Sequence, residues 1–193
     1  MIAKTLTFIT DLLNQELKII FGFNDNRVVA SSLVNPDGSM PSNAENKIVI
    51  SVVNLEQETS MKSMGNYMTD GGGGYGKIAP PVHINLYLLV SANYDSSNYV
   101  EANKVLSAII GVFQANPYFN RQTNPEMQSP LKKLTMEIYN LPLNELSHIW
   151  SGIGAKYVPS IIYKIRMLTI QEEMIKKEVP SIGGLSGKAK PKS

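Results

Sequence analysis

Apolar side chains recur at every third or fourth position over residues 2–20, which is the spacing of one face of an amphipathic helix. The apolar face consists of Ile2, Leu6, Ile9, Leu13, Leu17 and Ile20. The opposite face is polar and carries Lys4, Thr7, Asp11, Asn14, Gln15 and Lys18. Because a lone helix cannot bury such an apolar face, we expect this helix to pack against a larger layer of structure.

Five segments are rich in β-branched and other apolar residues, a composition that favours strands. They cover residues 27–34, 47–55, 82–92, 131–139 and 160–170. The second segment is almost entirely apolar, which is typical of a central strand that is covered on both faces. The third begins with alternating apolar and polar residues, which indicates a strand with one buried face.

Two further segments, residues 98–115 and 143–153, follow the helical period. The second is followed by Gly154, a residue that commonly ends helices. Residues 117–130 contain three prolines and are predicted to form a loop. This order of elements predicts an α+β (mixed α/β) fold, in which helices flank a mixed sheet of about four or five strands.

The connection over residues 56–81 is longer than most loops in compact domains, and long loops commonly have a function. Met61, Met64, Tyr67 and Met68 have helix-like spacing here, and Tyr75 lies in the glycine run that follows. One interpretation is a short surface helix whose methionines reach the core. The other is a pliable contact surface for a neighbouring subunit, because methionine adapts to irregular partners. These five residues are candidate contact residues.

The last residues have a different composition from the rest of the chain. We predict one domain over residues 1–172 and a flexible tail over residues 173–193, where charged residues, glycines and prolines replace the apolar pattern. The tail is either a frayed end or an arm that lies across an adjacent subunit. In the second case its candidate contact residues are Lys176, Lys177, Lys188 and Lys190.

The composition of the chain argues against several classes of partner and site. The chain of 193 residues has 18 basic and 16 acidic residues, and its net charge of +2 is too small to indicate a nucleic-acid partner. The absence of cysteine excludes disulfides and thiolate metal sites. We find no apolar run long enough for a membrane span and no signal peptide. We therefore expect assembly in the cytoplasm.

The segment Gly71–Lys77 satisfies two glycine-rich phosphate-binding patterns by letter count. Ile78 stands where a phosphate loop needs a hydroxyl, and Pro80 and Pro81 precede an extended apolar run instead of a helix. A flexible loop is the favoured interpretation. The alternative is a small nucleotide- or ligand-binding protein that uses this loop.

Other candidate chemistry is sparse. His83 and His148 have no acidic residue and serine at a recognisable spacing, and no paired-histidine metal motif occurs. Glu56 and Glu58 share one face of a predicted strand end, as a general-acid pair does, but carboxylates at strand ends are commonly solvated. We therefore expect no catalytic residues, no cofactor and no metal, and a protein that is not an enzyme.

Four segments taken together resemble a known family. They are Pro80–Val90, Tyr99–Pro117, Leu143–Gly154 and Val158–Arg166. Their order is similar to that of cap proteins of phage-tail-like contractile injection systems, which in turn resemble tail terminators of contractile phages. The resemblance extends over residues 1–172 and depends on structural positions, without a catalytic signature.

The resemblance implies a tail-terminator-like mixed sheet flanked by helices. It implies a hexameric ring that sits on the last layers of the inner tube and the sheath, ends their growth and joins them at the apical end of the particle. It also implies partners of two kinds, copies of the same chain and the tube and sheath proteins, and it implies no cofactor. Docking by strand addition at an open sheet edge is expected, but the sequence does not identify the edge strand.

Overall fold

The computed structural model describes residues 1–59, 67–69, 75–78, 81–129, 131–170 and 175–179. Three α-helices lie within them: α1 (Ile2–Phe21), α2 (Tyr99–Ala115) and α3 (Leu143–Ile153). The strands are β1 (Val28–Ala30), β2 (Lys47–Gln57), β3 (Tyr67–Thr69), β4 (Tyr75–Ile78), β5 (Val82–Asn93), β6 (Tyr118–Asn120), β7 (Lys133–Ile138), β8 (Ser160–Ile170) and β9 (Ile175–Val179). Short 3-10 turns occupy Ser42–Ala44 and Ser96–Asn98.

The three predicted helices are confirmed to within one residue at each end. The predicted stop at Gly154 is also confirmed, since this residue has a φ of 76° and its N–H donates to the Trp150 carbonyl oxygen at 3.1 Å. Gly22 ends α1 in the same way, with a φ of 70°. Glycine adopts this left-handed conformation without the steric penalty of a Cβ atom, which explains why both helices end where they do.

Six strands form a mixed sheet in the order β1-β2-β5-β8-β7-β6. β1 is parallel to β2, whereas the β2–β5, β6–β7 and β7–β8 pairs are antiparallel. The predicted α+β class is confirmed, but the expected four or five strands fall short by at least one. β6 lies inside the predicted loop 117–130, because a three-residue strand is too short to show an alternating pattern.

The sheet separates two apolar cores. α1 and α2 cover one face, where Ile9, Leu13 and Leu17 of α1 and Val105 and Ile109 of α2 are buried. α3 packs on the other face, together with the segment between β1 and β2. The residues of this second core include Leu33, Ala44, Val49, Leu89, Trp150 and Ile162. The expectation that α1 packs on a larger layer is therefore confirmed.

The observed burial of β2 and of β5 differs from the burial that the sequence predicts. β5 is buried on both faces from Asn85 to Ala92, although its first residues suggested one buried face. β2 is buried on both faces only at Ile48, Val49 and Ile50, and its second half is largely exposed. The second half of β2 therefore provides surface, and its polar residues are available for contacts.

The predicted exposure of the polar face of α1 is wrong at one residue, Asn14. Asn14 is 5% exposed, because its side chain bonds to the backbone of Val28 in β1. The partner lies 14 residues away along the chain, so the periodicity of α1 alone could not reveal it.

The chain divides into two compact units, one of Met1–Glu58 with His83–Leu168 and one of Thr59–Val82 with Thr169–Ser193. The first contains the six-stranded sheet and all three helices. The second contains an antiparallel sheet in the order β3-β4-β9. Residues 175–179, inside the predicted tail, form β9. Ile175 and Val179 are β-branched, as strands favour, and β4 supplies the paired backbone.

Candidate functional site

Five of the nine predicted contact residues lie in the three-stranded sheet of the second unit. Tyr67 and Met68 are in β3, Tyr75 is in β4, and Lys176 and Lys177 are in β9. The other four lie outside the described residues: Met61, Met64, Lys188 and Lys190. All nine stay predictions as contact residues.

Backbone register places several of these candidates at neighbouring positions. Tyr67 pairs with Lys77 on β4, and Lys77 pairs in turn with Lys177 on β9. Tyr75 pairs with Val179 at the other end of the same ladder. Segments that are about 100 residues apart in sequence therefore meet in one small sheet.

Gly76, Lys77 and Ile78 belong to β4, and residues 71–74 of the glycine run lie outside the described residues. A phosphate-binding loop of either type leads into a helix whose N-terminus faces the anion. Here Lys77 lies within a strand, so the loop lacks the context that nucleotide binding requires. No observation in the described part of the chain favours the nucleotide-binding alternative.

A charged cluster, which we call the sheet-face cluster, lies on the α3 side of the six-stranded sheet. It consists of Glu56 on β2, Tyr87 on β5 and Lys164 on β8. The Tyr87 hydroxyl donates to Glu56 Oε2 at 2.5 Å, and Lys164 Nζ donates to the same oxygen at 3.2 Å. Lys164 Nζ also lies 5.1 Å from the centroid of the Tyr87 ring. One carboxylate oxygen thus joins three adjacent strands.

A β-bulge in β2 places Glu56 on this face. Val52 pairs with Leu88, but Asn54 pairs with Tyr87, so Val53 is an extra residue in the ladder. Such a residue reverses the side-chain alternation of the rest of its strand relative to its partner. Without the bulge, Glu56 would point toward the α1–α2 side. Residues 52–55, Val-Val-Asn-Leu, contain neither glycine nor proline, so nothing in the sequence marks this bulge.

The charges of the cluster stabilise one another. The hydrogen bond from Tyr87, followed by that from Lys164, lowers the pKa of the Glu56 carboxyl below its ordinary value. Burial, followed by the bond to Glu56, raises the pKa of Tyr87. Contact with Tyr87, and then the bond to Glu56, raises the pKa of Lys164. At neutral pH the cluster therefore holds a carboxylate, a neutral phenol and an ammonium group.

This charge state does not suit acid–base catalysis. A general acid at neutral pH needs a raised carboxyl pKa, whereas that of Glu56 is lowered. Glu58, the other member of the proposed pair, accepts a bond from Asn85 Nδ2 at 3.0 Å. His83 is half-buried and His148 is exposed. Among the described residues, no group of three or more histidines and carboxylates is placed to hold a metal ion.

The charged surface continues beyond the cluster. Arg166 on β8 donates through Nε to Glu137 Oε2 on β7 at 2.8 Å. The Tyr139 ring packs edge-on against Tyr87, with their centroids 4.9 Å apart. The open part of this sheet face therefore carries paired charges and aromatic rings on four adjacent strands.

Two exposed apolar surfaces lie on opposite layers of the same unit. At the end of α1, Ile19 is 78% exposed, and Ile20 and Phe21 are also exposed. On the other layer, Leu143 at the start of α3 is 82% exposed and Tyr157, four residues after the helix, is 64% exposed. Both line a pocket of about 420 Å³ whose walls include Trp150. The sequence held one signal for the first surface: three consecutive apolar residues cannot all point to one side of a helix.

The described residues define an α+β protein whose prominent features are contact surfaces, without a recognisable reacting centre. Its fold is similar to that of two solved proteins of contractile injection systems, a sheath/tube terminator and a tube-terminating cap. One similar solved structure is the PVC sheath/tube terminator of an extracellular contractile injection system in the extended state. It is 12% identical, with a TM-score of 0.53, and the match covers 94% of this chain and 63% of that chain.

A second similar structure is the tube-terminating cap of the anti-feeding prophage, with 14% identity and a TM-score of 0.56. That match covers 97% of this chain and 62% of the other, so this chain spans less than two thirds of either structure. No curated protein matches the sequence.

The family follows from the sequence itself. Residues 4–183 match the Pvc16 N-terminal domain, and the chain belongs to that family. The predicted resemblance to cap proteins of contractile injection systems is confirmed. None of the helices in the described ranges is both long and apolar enough to cross a membrane.

Proposed function

We propose that this chain is a structural cap of a contractile injection particle. It binds the last layer of the inner tube and of the sheath at the apical end, stops their growth and joins them. It acts as a ring of six copies, assembles in the cytoplasm, and has no catalytic turnover. The observation that carries the proposal is membership of the Pvc16 N-terminal domain family over residues 4–183, together with the cap fold.

Polymer physics supports a protein of this kind. A helical polymer presents the same heterologous surface after each added layer, so growth ends only when a subunit matches that surface and offers no copy of it in return. This task requires a rigid protomer with different surfaces on different sides. The protomer has two apolar cores, and it exposes apolar side chains on both layers and paired charges on the α3 side of the sheet.

We assign the proposed contacts to particular surfaces of the protein. Exposed apolar patches commonly mark protein interfaces, so we assign the end of α1, with Ile19, and the α3 pocket, with Leu143, to contacts with neighbouring copies or with tube and sheath. The nine predicted contact residues of the second unit are proposed to serve the same assembly.

Particle length tests the proposal. Electron microscopy of particles made without this chain should show a broad length distribution, and the wild-type chain should restore uniform lengths. Ile19→Asp should restore them poorly, whereas Gln15→Asp, on the exposed polar face of the same helix, should restore them fully. Uniform particles in the absence of the chain would contradict a capping role. A particle-bound copy number other than six, counted from the same images, would contradict the ring.

A further inference from the structure

The buried amide of Asn14 occupies the backbone positions at one end of the six-stranded sheet. Its Oδ1 accepts from the Val28 N–H at 2.9 Å, and its Nδ2 donates to the Val28 carbonyl oxygen at 3.0 Å. The side chain thus makes the same two bonds that a neighbouring strand would make. β1 is the terminal strand of the sheet, so these bonds lie where a further strand would pair.

The pairing of β1 with β2 shows which backbone groups point away from the sheet. Ile48 N–H donates to the Arg27 carbonyl at 2.8 Å, and Ser31 N–H donates to the Ile50 carbonyl at 3.2 Å. In a parallel ladder, alternate residues of a strand direct both backbone groups to the same neighbour. The backbone groups of residues 27, 29 and 31 therefore point to β2, and those of Val28 and Ala30 point away from the sheet. Asn14 satisfies the first of these two outward positions.

We propose that Asn14 seals the outer edge of β1 against strand addition by a second copy of this chain. An edge strand with unpaired backbone groups is a template for pairing, and proteins commonly protect such edges. β1 has the sequence Val-Val-Ala, which is apolar and carries no charge to prevent pairing. With Val28 satisfied, only the exposed Ala30 remains open, and one residue cannot hold a strand.

A second copy is the relevant occupant because every molecule carries the same short apolar edge, so two β1 edges can pair with each other. The other end of the sheet is less suited to this. Of the outward positions of β6, the Asn120 carbonyl already accepts from the Asn124 N–H at 2.8 Å. We therefore expect partner contacts of this unit on its faces, in place of the strand addition that the resemblance implied.

Sedimentation velocity of the purified full-length chain tests the proposal. Asn14→Ala should form species larger than the wild type, and their fraction should rise with concentration. Gln15→Ala, at the next and exposed position of α1, should match the wild type. In the Asn14→Ala background, Ala30→Pro should restore the wild-type distribution, because proline removes the outward N–H at the remaining open position and no β1–β2 bond.

The proline variant separates sealing from simple loss of stability. Association caused by partial unfolding would persist or increase with proline at position 30, and that result would overturn the proposal. So would an Asn14→Ala protein that sediments like the wild type.

If neither Asn14→Ala nor Asn14→Ser folds, amide hydrogen exchange of the wild type decides. The Val28 amide should exchange at least tenfold more slowly than the Ala30 amide, and equal rates would overturn the proposal. Because none of these measurements uses a particle, failure here would leave the capping role untouched.

Discussion

Replacing Tyr163 by phenylalanine removes one hydroxyl group from the core and keeps the ring that packs there. Tyr163 is 1% exposed, and its ring lies edge-on to Phe113 with 4.8 Å between centroids. Its hydroxyl has no hydrogen-bond partner within the residues that the structure describes. A buried hydroxyl without a partner destabilises the folded state by about 1–3 kcal/mol. The small void left by its removal offsets part of that gain, so we expect Tyr163→Phe to stabilise the protein by about 1 kcal/mol at pH 7.

Alkaline pH supplies a second test of the same hydroxyl. Burial raises the pKa of Tyr163 from 10.0 to about 12. The folded state therefore holds this proton more tightly than the unfolded state, and the wild type loses stability as the pH rises from about 10 to 12. Two pKa units correspond to about 3 kcal/mol. Tyr163→Phe should lose that much less stability across this window.

Urea denaturation at pH 7 and at intervals above pH 9 measures both effects. Tyr99→Phe is the matched control, because Tyr99 is 57% exposed and its hydroxyl should contribute little to stability. A Tyr163→Phe protein that is less stable than the wild type at pH 7 by more than about 1 kcal/mol would show that the hydroxyl has a partner, and the reasoning would fail.

Three further predictions concern other parts of the chain. Lys164→Met should raise the pKa of Glu56 toward its ordinary 4.5. The wild type should therefore lose more stability than the variant as the pH falls below 4.5. An NMR titration in which Glu56 of the variant has the same pKa as in the wild type would contradict this. Asn46 has a φ of 52°, so Asn46→Ala should be about 1 kcal/mol less stable than Asn46→Gly in urea, and equal stabilities would exclude backbone strain as the cause. Deleting residues 175–193 should reduce incorporation into particles and leave the melting temperature of the six-stranded unit unchanged. Deleting residues 180–193, which keeps β9, should reduce incorporation less. Equal incorporation of the two truncated proteins would argue against a role for β9.

The helices were predictable because each carries a long stripe whose period can be read locally. The long strands β2, β5 and β8 were predictable because their apolar runs exceed what a loop would carry. Short strands were not, since β6 has three residues and its partner β7 decides its conformation. β9 was missed for the same reason, as β4 lies about 100 residues before it.

The candidate site was less predictable than the fold. Glu56 was noted as one of two strand-end carboxylates, but its partners Tyr87 and Lys164 come from distant segments. The bulge that orients it has no turn residue to mark it. The periodicity of α1 placed Asn14 on the polar face, and only its bonds to the β1 backbone explain its burial.

The two halves of β2 have different roles: the first stabilises the fold, and the second is exposed and available for contact. Before the bulge, Ile48, Val49 and Ile50 pack into the two cores, so substitutions there should unfold the protein. After the bulge, Glu56 lies on an open sheet face and is held by surface bonds, which contribute little to folding. A surface that can change without unfolding the protomer can be fitted to a partner. Under the capping role that we propose, this separation favours the second half of β2 and its neighbours as the surface that adapts to the particle.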